Sequence, residues 1–188
     1  MKPRDIPNII SVLRILLVAP VVVFLLHERF TAALWLFIIA GVSDGVDGFL
    51  AKQFGWASRL GAILDPIADK LLMLACYLCM GWLGQLPAWL VAAVVARDVV
   101  IVAGSLAWYR LIGRLDIQPS VASKINTFFQ LLLVVVVLVA VQPVAVPAWL
   151  ITALIAIVLV TTLVSGVGYV VTWSRRASVA LRAEKTGE

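Results

Sequence analysis

Apolar residues run along this chain in blocks of about twenty, broken by short polar or proline-bearing stretches. The pattern predicts six spans, at 8–27, 31–51, 60–82, 87–109, 121–142 and 148–173. Each is near the ~20 residues that a helix needs to cross the hydrocarbon core of a bilayer. The breaks read HERF, KQFGWASR, GWLGQLP, YRLIGRLDIQPS and VQPVAVPA. Pro87, Pro119, Pro143 and Pro147 sit at or beside them, where a missing N–H matters least. The opening MKPRDIPNIISVLR is mixed, because Lys2, Arg4, Asp5 and Arg14 interrupt its apolar residues and Pro7 lies between them. It predicts a short juxtamembrane segment along the surface before the first span, with Arg14 at headgroup level either there or by snorkelling. The apolar run that follows lacks a small-x-small cleavage site before HERF and reads as a retained span. No break is long enough to divide the chain, so the expectation is a single all-α polytopic membrane domain over 1–188.

Composition agrees with the pattern. Of 188 residues, 63% are hydrophobic and 13% charged, against about half and a quarter in soluble domains. The net charge of +5 does not imply nucleic acid, because the charges sit at span ends. Lys2, Arg4, Lys52, Arg59, Arg110, Arg114, Lys124, Arg175, Arg176, Arg182 and Lys185 fall at one set of ends, and Arg29 alone at the other. Positive charge stays inside, so both termini are expected to be cytoplasmic. Trp82, Trp89 and Trp149 mark one boundary, and Trp108 and Trp173 the other, as an aromatic belt does. Cys76 and Cys79 share an apolar stretch and read as packing residues rather than a metal or redox pair.

The stretch Ser43 to Lys70 changes the picture, because Asp44, Asp47, Asp65 and Asp69 lie in it. Asp44 and Asp47 are three apart near the cytoplasmic end of the second span, and Asp65 and Asp69 four apart at the start of the third. On helices each pair shares a face. The short KQFGWASR connection makes the two helices antiparallel neighbours, so the four carboxylates can converge near the depth of lipid phosphates. They cannot all remain ionised together without compensation. Divalent metal supplies it most economically: an oxygen-only set suits Mg²⁺, Mn²⁺ or Ca²⁺, and two ions are plausible for four carboxylates. Metal at that depth suggests phosphoryl transfer. An ion or lipid transport pathway remains open, as does structural pairing with Lys52, Arg59, Lys70 or Arg97. Gly45, Gly48, Gly55 and Gly61 among the acids let helices or a ligand come close. His27 lies at the far end of the first span, so a carboxylate must do any proton abstraction at this site.

The stretch resembles the signature of the CDP-alcohol phosphatidyltransferase family, D-x2-D-G-x2-A-R-x8-G-x3-D-x3-D. Asp44, Asp47, Gly48, Ala51, Gly61, Asp65 and Asp69 match in identity and spacing, and Lys52 stands where the pattern has Arg. The resemblance implies six transmembrane helices, a homodimer, a cytoplasmic polar cavity, Mg²⁺ or Mn²⁺ at Asp44, Asp47, Asp65 and Asp69, and Asp69 as general base. It implies that Gly48, Ala51, Lys52, Ser58 and Gly61 bind the CDP-lipid, with Lys52 offering the diphosphate a point charge rather than the two-toothed fork of Arg.

Outside the signature, Arg97 and Asp98 lie in the fourth span, and Lys124, Asn126, Thr127 and Gln130 begin the fifth. Arg97 is deep and needs a partner or an anion. Asp98 is a poor candidate for that partner, since sequence neighbours point different ways on a helix, whereas an aspartate of the acid cluster is a serious one. The preferred expectation is a basic acceptor-phosphate pocket, with Arg97, Lys124 and Arg14 as the acceptor-binding residues. SRLGAILDPIADK, RDV and SKINTFFQ are similar to the eukaryotic-type cardiolipin synthase branch of the family. That similarity implies CDP-diacylglycerol as donor, the glycerol hydroxyl of phosphatidylglycerol as acceptor, and cardiolipin and CMP as products. Glycerol 3-phosphate is the alternative acceptor, as in phosphatidylglycerophosphate synthases. No transit peptide is visible, which favours a bacterial inner membrane.

Overall fold

The computed structural model describes residues 6–54, 61–112 and 121–186. Among them lie six helices and no strand: α1 (Ile6–Leu26), α2 (Phe30–Gln53), α3 (Gly61–Trp82), α4 (Ala88–Ile112), α5 (Val121–Ala140) and α6 (Ala148–Thr186). Three of these are long and apolar enough to cross a membrane by length and composition: Ile9–Leu26, Val121–Ala140 and Ala148–Val171. In α2 the apolar run is shorter, Phe30–Val46. The helices that fall short, α2, α3 and α4, carry Asp44, Asp47, Asp65, Asp69, Arg97 and Asp98. The large apolar residues that remain exposed, among them Leu16, Trp35, Phe49, Val102, Phe128 and Val167, lie along helix flanks, where an integral membrane protein meets lipid.

The helix α1 runs unbroken from Ile6, with Pro7 in its first turn, where no N–H is needed. The start of the expected juxtamembrane segment, residues 1–5, lies outside the described residues. The basic end of the chain, expected to leave its span at 173, continues as helix to Thr186, consistent with the good helix formers in RRASVALRAEKT.

The chain divides into two compact units, each with its own interior. The first comprises Met1–Ala88 and Val134–Ala148. Within it α1 packs on both α2 and α3, burying Val21 and Leu25 of α1, Ala33, Phe37 and Ala40 of α2, and Ala68, Leu72, Cys76 and Met80 of α3. The α3 residues recur every four positions, which puts them on one face, and Cys76 and Cys79 are free thiols buried along it. Thr31 donates to the Gln142 side-chain oxygen at 2.9 Å, tying the start of α2 to the segment after α5.

The second unit comprises Trp89–Leu133 and Trp149–Glu188. Its buried faces run Leu90, Val94, Arg97, Ile101 on α4, Asn126, Gln130, Leu133 on α5, and Leu154, Val158, Thr162, Ser165 on α6. Each follows the three-and-four spacing of a helix face, and each carries buried polar groups.

Two helices in the first unit end in the same hydrogen-bonded cap. After α1, Arg29 N–H donates to Phe24 O at 2.8 Å and Glu28 N–H to Leu25 O at 2.9 Å. After α3, Gln85 N–H donates to Met80 O at 2.8 Å and Gly84 N–H to Gly81 O at 3.2 Å. The geometry demands a left-handed residue, met by Gly84 at φ 70° and by Glu28 at φ 55°. A Cβ added at Gly84 would meet nothing within 4 Å, so only backbone strain opposes one. Gly84→Ala is expected to destabilise the detergent-solubilised protein by about 1 kcal/mol, and Glu28→Gly to stabilise it by a similar amount. Thermal unfolding of the two variants reads opposite signs if the caps behave as described.

Candidate active site

Ser11 and Arg14 stand one turn apart on α1 and therefore on one face. Both are fully buried, Arg14 at 1% exposure. A guanidinium placed there without a partner would cost several kcal/mol, and the carboxylates of α2 and α3 provide the partners. Arg14 Nη1 donates to Asp44 Oδ1 at 2.6 Å and to Asp69 Oδ1 at 2.6 Å. The Ser11 hydroxyl donates to Asp65 Oδ1. Three of the four signature carboxylates are thus gathered by one face of α1. Because one nitrogen serves both, the Asp44 and Asp69 oxygens can be no more than twice that hydrogen-bond length apart. Their side chains remain 42% and 44% exposed. The acid pair is therefore held from the protein side by a buried cation and open on the other.

The other residues of the signature fall as follows. Asp47, Ala51 and Lys52 lie on α2, with side chains outside the described residues, and Ser58 lies outside them altogether. Gly48 is on α2 beside open space, with nothing within 4 Å of a Cβ built on it. Gly61 is buried and begins α3. Among the described residues no group of three or more metal-ligating side chains is assembled around one point. The donor chemistry of Asp44, Asp65 and Asp69 nonetheless fits a hard divalent ion, since all are carboxylates. Asp44 and Asp69 already converge on a shared positive charge, as they would on such an ion. Arg14, expected at headgroup level, points into the acid cluster, which is itself expected near the depth of lipid phosphates.

In the second unit, Arg97 is 7% exposed. Its Nη1 donates to Asp98 Oδ1 at 2.6 Å, its Nη2 to Ser123 Oγ at 2.5 Å and Ser165 Oγ at 2.7 Å, and its Nε to Ser165 Oγ at 3.3 Å. The pairing with Asp98 overturns the expectation that the two neighbours would not meet. Their Cα–Cβ bonds diverge, but the four-bond Arg side chain is long enough to turn back. The Cγ of Arg97 passes Gly166 at 3.6 Å from where a Cβ would lie. Nearby, Asn126 Oδ1 accepts from Thr162 Oγ1 at 2.9 Å, linking α5 to α6. Lys124 is exposed and, with Ser123, Thr127, Phe128 and Leu131, lines a cavity of about 340 Å³ on α5.

The pattern of the sequence did not single out Ser11, Ser123 or Ser165. A signal existed for the first: Ser11 precedes Arg14 by three in an otherwise apolar helix, the spacing of a shared polar face.

The family described as CDP-alcohol phosphatidyltransferase matches residues 4–165, a range that runs through both units. The chain is 37% identical over 152 residues to a rat (Rattus norvegicus) protein named cardiolipin synthase (CMP-forming), covering 71% of this chain and 49% of the relative. It is 33% identical to the rice (Oryza sativa subsp. japonica) protein named CDP-diacylglycerol--glycerol-3-phosphate 3-phosphatidyltransferase 1, chloroplastic, covering 88% of this chain and 56% of the relative. A Mycobacterium tuberculosis protein named "Probable phosphatidylglycerophosphate synthase" is 31% identical, with 88% of this chain and 80% of the relative covered. The chain spans about half the length of the first two of these relatives. With most of its length matched and its carboxylates gathered as above, the chain belongs to the CDP-alcohol phosphatidyltransferase family.

Proposed function

We propose that this chain transfers a phosphatidyl group from CDP-diacylglycerol to the glycerol hydroxyl of phosphatidylglycerol, giving cardiolipin and CMP. The observation that carries the reading is the clustering of Asp44, Asp65 and Asp69 around Ser11 and Arg14, with Asp44 and Asp69 open on one side. Mg²⁺ or Mn²⁺, held by Asp44, Asp47, Asp65 and Asp69, would clamp the diphosphate and stabilise charge on the departing CMP. Asp69 takes the proton of the acceptor hydroxyl as its oxygen bonds to the phosphatidyl phosphorus. The P–O bond to CMP breaks, and CMP leaves with the electron pair. Gly48 and Ala51 leave room for the cytidine, with Ser58 and Gly61 beside them, and Lys52 meets the diphosphate as a point charge. Lys124 on its cavity offers an anionic acceptor its charge. Arg97, with its donors already shared by Asp98, Ser123 and Ser165, needs to exchange one of these partners to take part.

All six helices span the bilayer in this reading. The Lys and Arg bias puts the termini and the acid site on the cytoplasmic side, and the working form is a homodimer. A second acceptor, glycerol 3-phosphate, is favoured by one specific observation: relatives named for that chemistry match at 31% and 33% identity. Purified protein with Mn²⁺ and CDP-diacylglycerol, given each alcohol in turn, separates the two. Cardiolipin formed from phosphatidylglycerol, with no product from glycerol 3-phosphate, supports the first reading. The reverse result replaces it with the second. An ion or lipid transporter built on the same acids would form product from neither.

A further inference from the structure

We propose that Arg14 is a positioning residue of the acid site, acting from behind Asp44 and Asp69 rather than on the acceptor. The inference rests on the reading of these carboxylates as metal ligand and base given above. Three observations carry it. Arg14 is 1% exposed, so a lipid or soluble alcohol has no path to its guanidinium. Its Nη1 lies 2.6 Å from both Asp44 Oδ1 and Asp69 Oδ1, which fixes the separation of a carboxylate on α2 from one on α3. Those carboxylates are exposed on the side away from it. A ligating carboxylate pinned through one oxygen presents the other in a fixed direction, and such outer partners set metal affinity as strongly as many direct ligands do.

Ser11 extends the same device. One turn before Arg14, it holds Asp65, so a single helix face registers three signature carboxylates against one another. The register matters because α2 and α3 could otherwise slide by a fraction of a turn, and about an ångström of misplacement at a reacting centre is worth some 10²-fold in rate. Arg14 also gives the cluster a fixed positive charge, which repels a divalent ion. Orientation and charge therefore act on metal affinity with opposite signs, and the sign measured tells which one dominates.

The test uses the full chain in detergent, with Mn²⁺ alone titrated and free ion followed by electron paramagnetic resonance, alongside steady-state kinetics and thermal unfolding. Folded Arg14→Gln is expected to bind Mn²⁺ about 10- to 100-fold more weakly and to lose kcat, with KM for the acceptor unchanged. Arg14→Lys, which keeps the charge and a nitrogen able to donate to both carboxylates, is expected to lose less Mn²⁺ affinity and less kcat than Arg14→Gln. Tighter Mn²⁺ binding in Arg14→Gln overturns the proposal, because Arg14 would then be a repelling charge only. A rise in acceptor KM alone overturns it in favour of an acceptor contact. Unchanged Mn²⁺ affinity and kcat in a less stable protein reduce Arg14 to a structural pair. If Arg14→Gln does not fold, Arg14→Lys decides: a rise in acceptor KM in folded protein, with Mn²⁺ affinity and kcat unchanged, contradicts the positioning role. Should the parent form no CMP with any alcohol, the proposed function fails, while the Mn²⁺ titrations still settle the role of Arg14.

Discussion

Asp69→Asn is expected to lower CMP release by about 10²- to 10⁴-fold, the range that a positioned general base contributes. The substitution keeps an oxygen able to accept from Arg14 Nη1, so the contact at 2.6 Å survives and the fold should too. What is lost is the ability to take a proton, together with the negative charge offered to the metal, so Mn²⁺ affinity is measured beside CMP release. Asp69 is suited to the task by place: it stands on α3 four residues after Asp65, shares Arg14 with Asp44, and is 44% exposed on its open side. It need not be a strong base, because CMP stabilised by a divalent ion is a good leaving group. A folded Asp69→Asn protein with a kcat within tenfold of the parent removes Asp69 as the base and returns the proton to another carboxylate of the cluster.

Replacing Arg97 should have the largest effect on stability. Arg97→Ala removes the guanidinium contacts made to Asp98, to Ser123 and to the buried hydroxyl of Ser165. Removing one member of a buried charged network costs about 3 kcal/mol or more, roughly 6–12 °C in apparent Tm for a chain of this size. Arg97→Lys should recover little, because a single ammonium cannot occupy the places of Nε, Nη1 and Nη2 at once. The prediction discriminates between two roles. If Arg97 chiefly binds an acceptor phosphate, Arg97→Ala raises acceptor KM and leaves Tm nearly unchanged. If it chiefly ties α4 to α5 and α6, Tm falls and the folded fraction keeps its acceptor KM.

The helices were legible in the sequence because hydropathy and prolines punctuate them directly. The turn at 27–29, the turn before Ala88 and the one after Ala140 all fall where polar or proline-bearing breaks predict. The end of α6 was not legible. A hydropathy window stops where the apolar run stops, whereas the helix continues through residues of high intrinsic propensity to Thr186. The acid cluster was half legible. Spacing places Asp44 near Asp47 and Asp65 near Asp69, since those pairs are local, and the short connection brings the pairs together. The cation that holds them was hidden, because Arg14 lies 30 and 55 residues from its two partners. Local spacing says nothing about a contact at that range. Lys52, Arg59, Lys70 and Arg97 were nearer in sequence or depth, and the closest packing partner of α2 and α3 turned out to be α1. Arg97 failed for the opposite reason. A rule about helix faces places Cβ atoms, and a long flexible side chain can defeat it, as the 2.6 Å contact with Asp98 does.

The proposed function is a metal-dependent transfer, at the acid site on α1, α2 and α3, from a CDP-linked lipid to an alcohol. The most direct measurement is CMP release by the purified full chain in mixed micelles of CDP-diacylglycerol and phosphatidylglycerol. It is run with Mn²⁺, after chelation, and after Mn²⁺ is restored. CMP release is expected to require both the alcohol and the ion, to stop on chelation, and to return with Mn²⁺. CMP release that persists at the same rate in excess chelator would contradict it, as would a parent protein that binds Mn²⁺ and releases no CMP with any alcohol.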